Sequence, residues 1–403
     1  MAVPRTRQGN YPAVLSYGFR PFFLAGAAYA ALAILFWLPL LYGYAETESL
    51  FLPVDWHIHE MLFGYLAAII TGFLLTAIPN WTGRLPVQGL PLFLLFLLWL
   101  AGRFAILFSA KIGWLPALVV DSAFLAAVAA AAATEIVAGR NWRNLKVLLP
   151  LAVLLAANVL FHVEVRIAGI SEISRRLAIA AAIMLIMIIG GRIIPSFTRN
   201  WLVRENPGRL PQPFDRIDVA VIVLSGLALA AWTVLPWRPE TGGLLIAAGI
   251  ANAARLARWA GYRTLRDPLV LVLHAAFLFV PLGFLLAGAA ALAPDRVPSV
   301  AGVHAFGVGA VGTMTLAVMA RATLGHTGRD LAADRATCAM FTAVILSALL
   351  RVAAAFLPDS PGLLYGSALL WSAAFGAYVV IFGPMLVSPR LQPRAASGGV
   401  RRS

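Results

Sequence analysis

The chain has 403 residues, of which 61% are hydrophobic and 12% charged, with a formal net charge of +14. An ordinary soluble domain carries about 25% charged residues, so water is not the main solvent of this protein. Its one cysteine, Cys338, excludes an internal disulfide and the Cys-x-x-Cys-His element that attaches haem covalently. Any haem is therefore held non-covalently, and Cys338 itself reads as packing.

The apolar residues fall in blocks of about 20, the length that crosses a hydrocarbon core of roughly 30 Å as helix. The first, from Phe22 to Tyr42, exceeds a signal-peptide core and lacks a cleavage site, so it is kept as a helix. Charged and Pro/Gly breaks then predict helices near 22–43, 57–78, 90–108, 114–137, 145–163, 176–195, 217–235, 242–260, 268–292, 300–323, 335–357 and 363–387. Short alternating strands, the mark of a β-barrel, are absent. The expected fold is all-α, a polytopic integral membrane bundle of about twelve helices forming one domain over 1–389. A disordered cytoplasmic tail over 390–403 follows it. With both termini inside, most of the 31 Lys and Arg lie in the inner connections, as the positive-inside rule requires. The basic surplus thus marks the cytoplasmic face of a lipid bilayer and does not call for nucleic acid.

A weak internal repeat accompanies this pattern. One constant offset brings His59, Gly64, Thr82, Gly83 and Arg84 into register with His304, Gly309, Thr327, Gly328 and Arg329. The sixth helix ends in Ile194-Pro195-Ser196-Phe197-Thr198, similar to Ile78-Pro79-Asn80-Trp81-Thr82 in the second, which points to three four-helix units. The inner segments Pro79 to Arg84, Arg192 to Asn200 and Arg321 to Arg329 read as helix-end capping with basic lipid anchors.

All six histidines lie in or beside apolar segments, where an ionisable group is costly and normally functional. The helix directions put His57, His59, His162 and His304 at one level near the outer boundary, with Glu60, Arg103, Asp121 and Arg351 in the same outer half. These charges are expected to face one another or a ligand. Clustered imidazoles suit a transition metal, and two across a gap can ligate haem iron. On this reading His59 and His304 form an axial haem pair, Arg103 and Arg351 meet the propionates, and Gly64, Gly302, Gly307 and Gly309 leave room for the macrocycle. Residues 57 and 59 sit about 200° apart on a helix and cannot share one ion, so His57 turns to a second metal with His162. His274 and His326 lie further in and leave room for a separate inner site. Met61, Met184, Met187, Met314 and Met319 read as filler before copper ligands. No Walker loop, dinucleotide fingerprint or hydrolase triad spacing occurs.

Five motifs in order carry a family resemblance: Gly18-Phe19-Arg20-Pro21-Phe22-Phe23-Leu24, Trp56-His57-Ile58-His59-Glu60-Met61, Pro79-Asn80-Trp81-Thr82-Gly83-Arg84, Gly191-Arg192-Ile193-Ile194-Pro195-Ser196-Phe197-Thr198 and Arg321-Ala322-Thr323-Leu324-Gly325-His326-Thr327-Gly328-Arg329. Together they resemble the NnrS family over residues 16 to 388. The resemblance implies a bacterial inner-membrane protein that carries haem and copper, is associated with denitrification, and protects against nitric oxide. By the family's motifs His57, His59, His162, His274, His304 and His326 are all candidate metal ligands. The family name supplies no reaction. Two other readings compete with nitric oxide binding at a haem-copper site. One is a twelve-helix transporter with a path lined by histidines and charges. The other is an oxidoreductase similar to the haem-copper oxidases, which the absence of histidine from the seventh helix disfavours.

Overall fold

The computed structural model describes residues 10–391. All but the first two residues of the expected tail lie outside that range. Among the described residues there are twelve long helices and no strand: α1 (Phe19–Leu41), α2 (Pro53–Thr82), α3 (Leu90–Leu107), α4 (Trp114–Ala138), α5 (Trp142–Ala168), α6 (Ile173–Glu205), α7 (Arg216–Val234), α8 (Pro239–Ala257), α9 (Pro268–Leu292), α10 (Ser299–Thr327), α11 (Arg335–Phe356) and α12 (Pro361–Val387). Eleven are long and apolar enough to cross a membrane. The exception is α8, where Glu240, Asn252 and Arg255 dilute a 19-residue helix. Large apolar side chains such as Leu32, Val223 and Val380 stand exposed on α1, α7 and α12, as a surface solvated by lipid requires.

Four helices run at least four residues beyond their expected ends: α2, α5, α6 and α10. The expected end of α2 falls just before Pro79 and that of α6 at Pro195, yet both prolines lie inside the helix. Each removes one backbone donor, and neighbouring polar side chains bond back to carbonyls four residues earlier. Asn80 donates to Thr76 O at 3.1 Å, Thr82 to Ile78 O at 2.9 Å, and Thr198 to Ile194 O at 2.8 Å. In α10, Thr327 makes the same bond to Thr323 O at 2.6 Å.

The packing repeats every four helices. The first and second of each group pack together (α1·α2, α5·α6, α9·α10), as do the third and fourth (α3·α4, α7·α8, α11·α12). The groups then join through equivalent contacts, α4·α5, α8·α9 and α12·α1, closing a ring of three units. The second helices, α2, α6 and α10, line a common cavity on the ring's axis, and their apolar windows are 78%, 67% and 72% buried against 28% for α11. Each second helix contains a π-helical stretch, Glu60–Leu66, Ile186–Gly190 or Ala305–Gly312. Under the sequence repeat the first and third coincide, because Glu60 aligns with Ala305. The stretch in α6 falls further along its helix. Such widened turns concentrate at functional sites.

Both ends of the described chain lie on one face. Arg20, at the start of α1, donates to Leu386 O at 2.8 Å and Ser388 O at 2.6 Å at the end of α12. This terminal face also receives the ends of α2, α6 and α10.

Candidate metal centre

The site forms where α2 enters from the opposite face. Leu52 is extended and Pro53 opens the helix, a position where the missing proline donor costs nothing. His57 and His59 then point to different sides, as a two-residue separation requires. His59 is fully buried, whereas His57 is half-buried and stacks on Trp37 of α1, ring centroids 4.2 Å apart.

Around His59 a polar cluster draws on five helices. The His59 Nδ1–H donates to Glu60 Oε1 at 2.9 Å, and Nε2 lies 3.1 Å from Asn158 Oδ1 and 3.2 Å from Asp121 Oδ2. His162 Nε2 approaches the same Asp121 oxygen at 3.3 Å. Arg103 donates to Glu60 Oε2 at 2.5 Å and, through its other terminal nitrogen, to Asp121 Oδ1. Tyr29 of α1 donates to Glu60 Oε2, and Asn158 Nδ2 to Asp121 Oδ2 at 2.8 Å. Gly64 makes the space: a Cβ there would meet Arg103 Nη1 at 2.6 Å and Glu60 Oε2 at 2.8 Å.

Two properties of this cluster point to a cation. The buried charges are two carboxylates and one guanidinium, which leaves one negative charge uncompensated, and a buried charge without a partner is costly. The gap between the two Nε2 atoms is also bounded by acceptors, Asp121 Oδ2 and Asn158 Oδ1. It therefore calls for a proton or a metal ion. His59, Asp121 and His162 each offer a ligand atom, all within 4.8 Å of one another. Two imidazoles and a carboxylate are a donor set for a divalent transition metal. Glu60 on the far nitrogen of His59 supplies the outer contact that usually orients a ligating imidazole.

A second group draws on α2, α10 and α11, of which α10 and α11 pack together. Arg351 acts electrostatically on both His57 and His304, and His57 on His304. The His304 Nδ1–H donates to Val300 O at 2.7 Å, which leaves Nε2 as its ligating atom. His57 Nδ1 is buried with no hydrogen-bond partner, and Arg351 meets no carboxylate among the described residues.

The histidines thus sort differently from the expected pairs. His59 lies against His162, ring centroids 5.4 Å apart, and His57 and His304 both lie within electrostatic reach of Arg351, while no hydrogen bond or ring contact among the described residues joins His304 to His59 or to His57. Of the two arginines expected at the propionates, Arg103 is committed to Glu60 and Asp121, whereas Arg351 meets no carboxylate among the described residues. Of the four glycines expected to make room for a macrocycle, Gly64 accommodates Arg103, Gly302 packs on the α9 backbone at Ala287, and Gly309 faces Phe279. Gly307 alone faces open space. His274 is elsewhere, hydrogen-bonded to Thr198 at 2.8 Å. His326 stacks with Tyr17 near the terminal face.

Asn158 and Tyr29 were not singled out from the sequence. Asn158 did leave a signal, a lone amide one helical turn before His162 in an apolar helix. Tyr29 left none, since a tyrosine in an apolar helix is unremarked until its partner is known.

The family model described as NnrS protein matches residues 13–390. No curated protein matches the chain.

Proposed function

The chain belongs to the NnrS family, and from that premise we propose that it binds copper and haem in a bacterial inner membrane and captures nitric oxide or nitrosyl species. Its role would be to limit nitrosative damage in denitrifying-type metabolism. The uncompensated negative charge at His59, Asp121 and His162 carries the reading. These three residues would hold copper, with Glu60 orienting His59 through Nδ1 and Asn158 orienting Asp121 through its amide nitrogen. For haem the second group fits better than a His59–His304 pair. His304 presents Nε2, Arg351 offers a guanidinium to a propionate, and Gly307 borders open space. Bound copper and haem iron supply the coordination and one-electron chemistry that nitric oxide requires. The chain's own part is to keep the copper site dry, since His59, Glu60, Asp121 and His162 are all buried.

Metal analysis and visible spectra of detergent-purified protein test this. His59→Ala and His162→Ala should lose copper and keep the haem band, while His304→Ala should lose the band that shifts with nitric oxide. Wild type free of both metals would sink the proposal. It would favour a second reading that the cavities on the ring axis support, a transporter whose path follows that axis.

A further inference from the structure

Three motifs are not used by the histidine sites: the ends of α2, α6 and α10 at the terminal face. They converge on one cavity of about 360 Å³ on the ring axis, whose polar lining comes from Thr76, Asn80, Arg192, Ser196 and His326. Arg192 donates to Asn144 Oδ1 at 3.3 Å and meets no carboxylate among the described residues. None of the cavity's lining residues is acidic. Arg143 and Lys146 lie close enough to act on Arg192 electrostatically and add positive charge at the same mouth. The floor is apolar, with Phe23, Phe73 and Ile189. Phe73, Ile189 and Ile193 also line a second cavity of about 90 Å³ further along the axis, where Thr315 brings a hydroxyl side chain to an otherwise apolar lining.

A cationic mouth on an apolar throat, at the meeting point of three repeats, has the chemistry of an amphiphile site. The geometry points to this cavity as the binding site of an amphiphilic anion, with a phosphate or carboxylate headgroup on Arg192 and its apolar body directed along the axis between α2, α6 and α10. The ligand comes either from the bilayer, as a phospholipid whose headgroup reaches in, or from a free amphiphile. The assignment rests on neither histidine group, so it stands or falls independently of copper and haem.

The test uses full-length protein purified in an alkyl maltoside, titrated with butyl phosphate and hexyl phosphate and read by tryptophan fluorescence, because Trp81 lines the cavity. Saturable quenching is expected, absent in Trp81→Phe. Hexyl phosphate should bind on the order of tenfold more tightly than butyl phosphate, from two further methylenes in the throat. Arg192→Gln should weaken both by about tenfold, the loss of one charge-assisted contact, with Arg192→Lys intermediate. Ala322→Phe, which fills the cavity without touching the charge, should abolish binding, whereas Arg84→Gln, whose partner is Glu135 outside the cavity, should change nothing. An unchanged melting temperature and elution as a single species show that each variant is folded. Absence of saturable binding in folded wild type, or affinities indifferent to both Arg192→Gln and Ala322→Phe, would overturn the assignment. Native mass spectrometry separates the sources: a co-purified phospholipid displaced by hexyl phosphate identifies the bilayer, and saturable binding with no retained lipid identifies a free amphiphile.

Discussion

Gly64 and Arg103 sit so close that a single carbon added to the glycine would fall 2.6 Å from the Arg103 Nη1 atom. The π-helical stretch that contains Gly64 also presents its carbonyl to Trp99 Nε1 at 2.9 Å, so the backbone has little freedom to retreat. Gly64→Ala is expected to push Arg103 off Glu60, cost about 1–3 kcal/mol as overpacking, and lower copper content. Gly307→Ala meets nothing within 4 Å and should leave stability and copper unchanged. Thermal melting and metal analysis of the pair check this.

Arg103 is the one cation among Glu60 and Asp121, and it is buried. Arg103→Met leaves both carboxylates without it and should destabilise by about 3–5 kcal/mol. Adding Glu60→Gln removes one of the stranded charges and should recover part of that loss. A double variant no more stable than Arg103→Met alone would mean that the charge balance described for this cluster is wrong.

Asn158 bridges His59 and Asp121, with Oδ1 3.1 Å from His59 Nε2 and Nδ2 donating to Asp121 Oδ2. Asn158→Ala should keep the fold and weaken copper binding by about 10–100-fold, the usual effect of losing an outer-shell contact. Competition titration with a copper chelator measures it, and an unchanged affinity would exclude Asn158 from orienting the site.

Arg255 of α8 is a control from the second unit. It donates to Asp218 Oδ1 at 2.7 Å and to Met187 O, a carbonyl in the π-helical stretch of α6, at 3.3 Å. Arg255→Met strands Asp218 and is expected to cost about 3–5 kcal/mol while leaving copper per folded protein at its original value.

A pH effect is expected at the connection before α7. Asp215 caps that helix and pairs with Arg258, and these contacts lower its carboxyl from about 3.8 to about 2. A carboxylate with a depressed folded value stabilises the native state above the unfolded value and loses that contribution as pH falls towards the folded one. The protein should therefore lose stability between pH 4 and pH 2, and Asp215→Asn should flatten that stretch of the melting-temperature profile.

The sequence by itself determined the helices and the depth of their unusual residues. Hydropathy is a property of one segment against lipid, so α1 to α12 could be located without knowing their neighbours, and the level of His57, His59, His162 and His304 followed from helix direction. The matching ends of α2, α6 and α10 also showed as motifs, although Pro79 and Pro195, which read as breaks, hid the last helical turns of α2 and α6. Only the tertiary structure decided which histidine meets which partner. Rotation of a helix about its axis costs nothing along the sequence, and the choice of His162 for His59 was made by packing across α2, α4 and α5, with the widened turn at Glu60–Leu66 shifting the side chains that follow. The same applies to Gly302 and Gly309, whose missing side chains admit α9 because α9 is the helix that packs there.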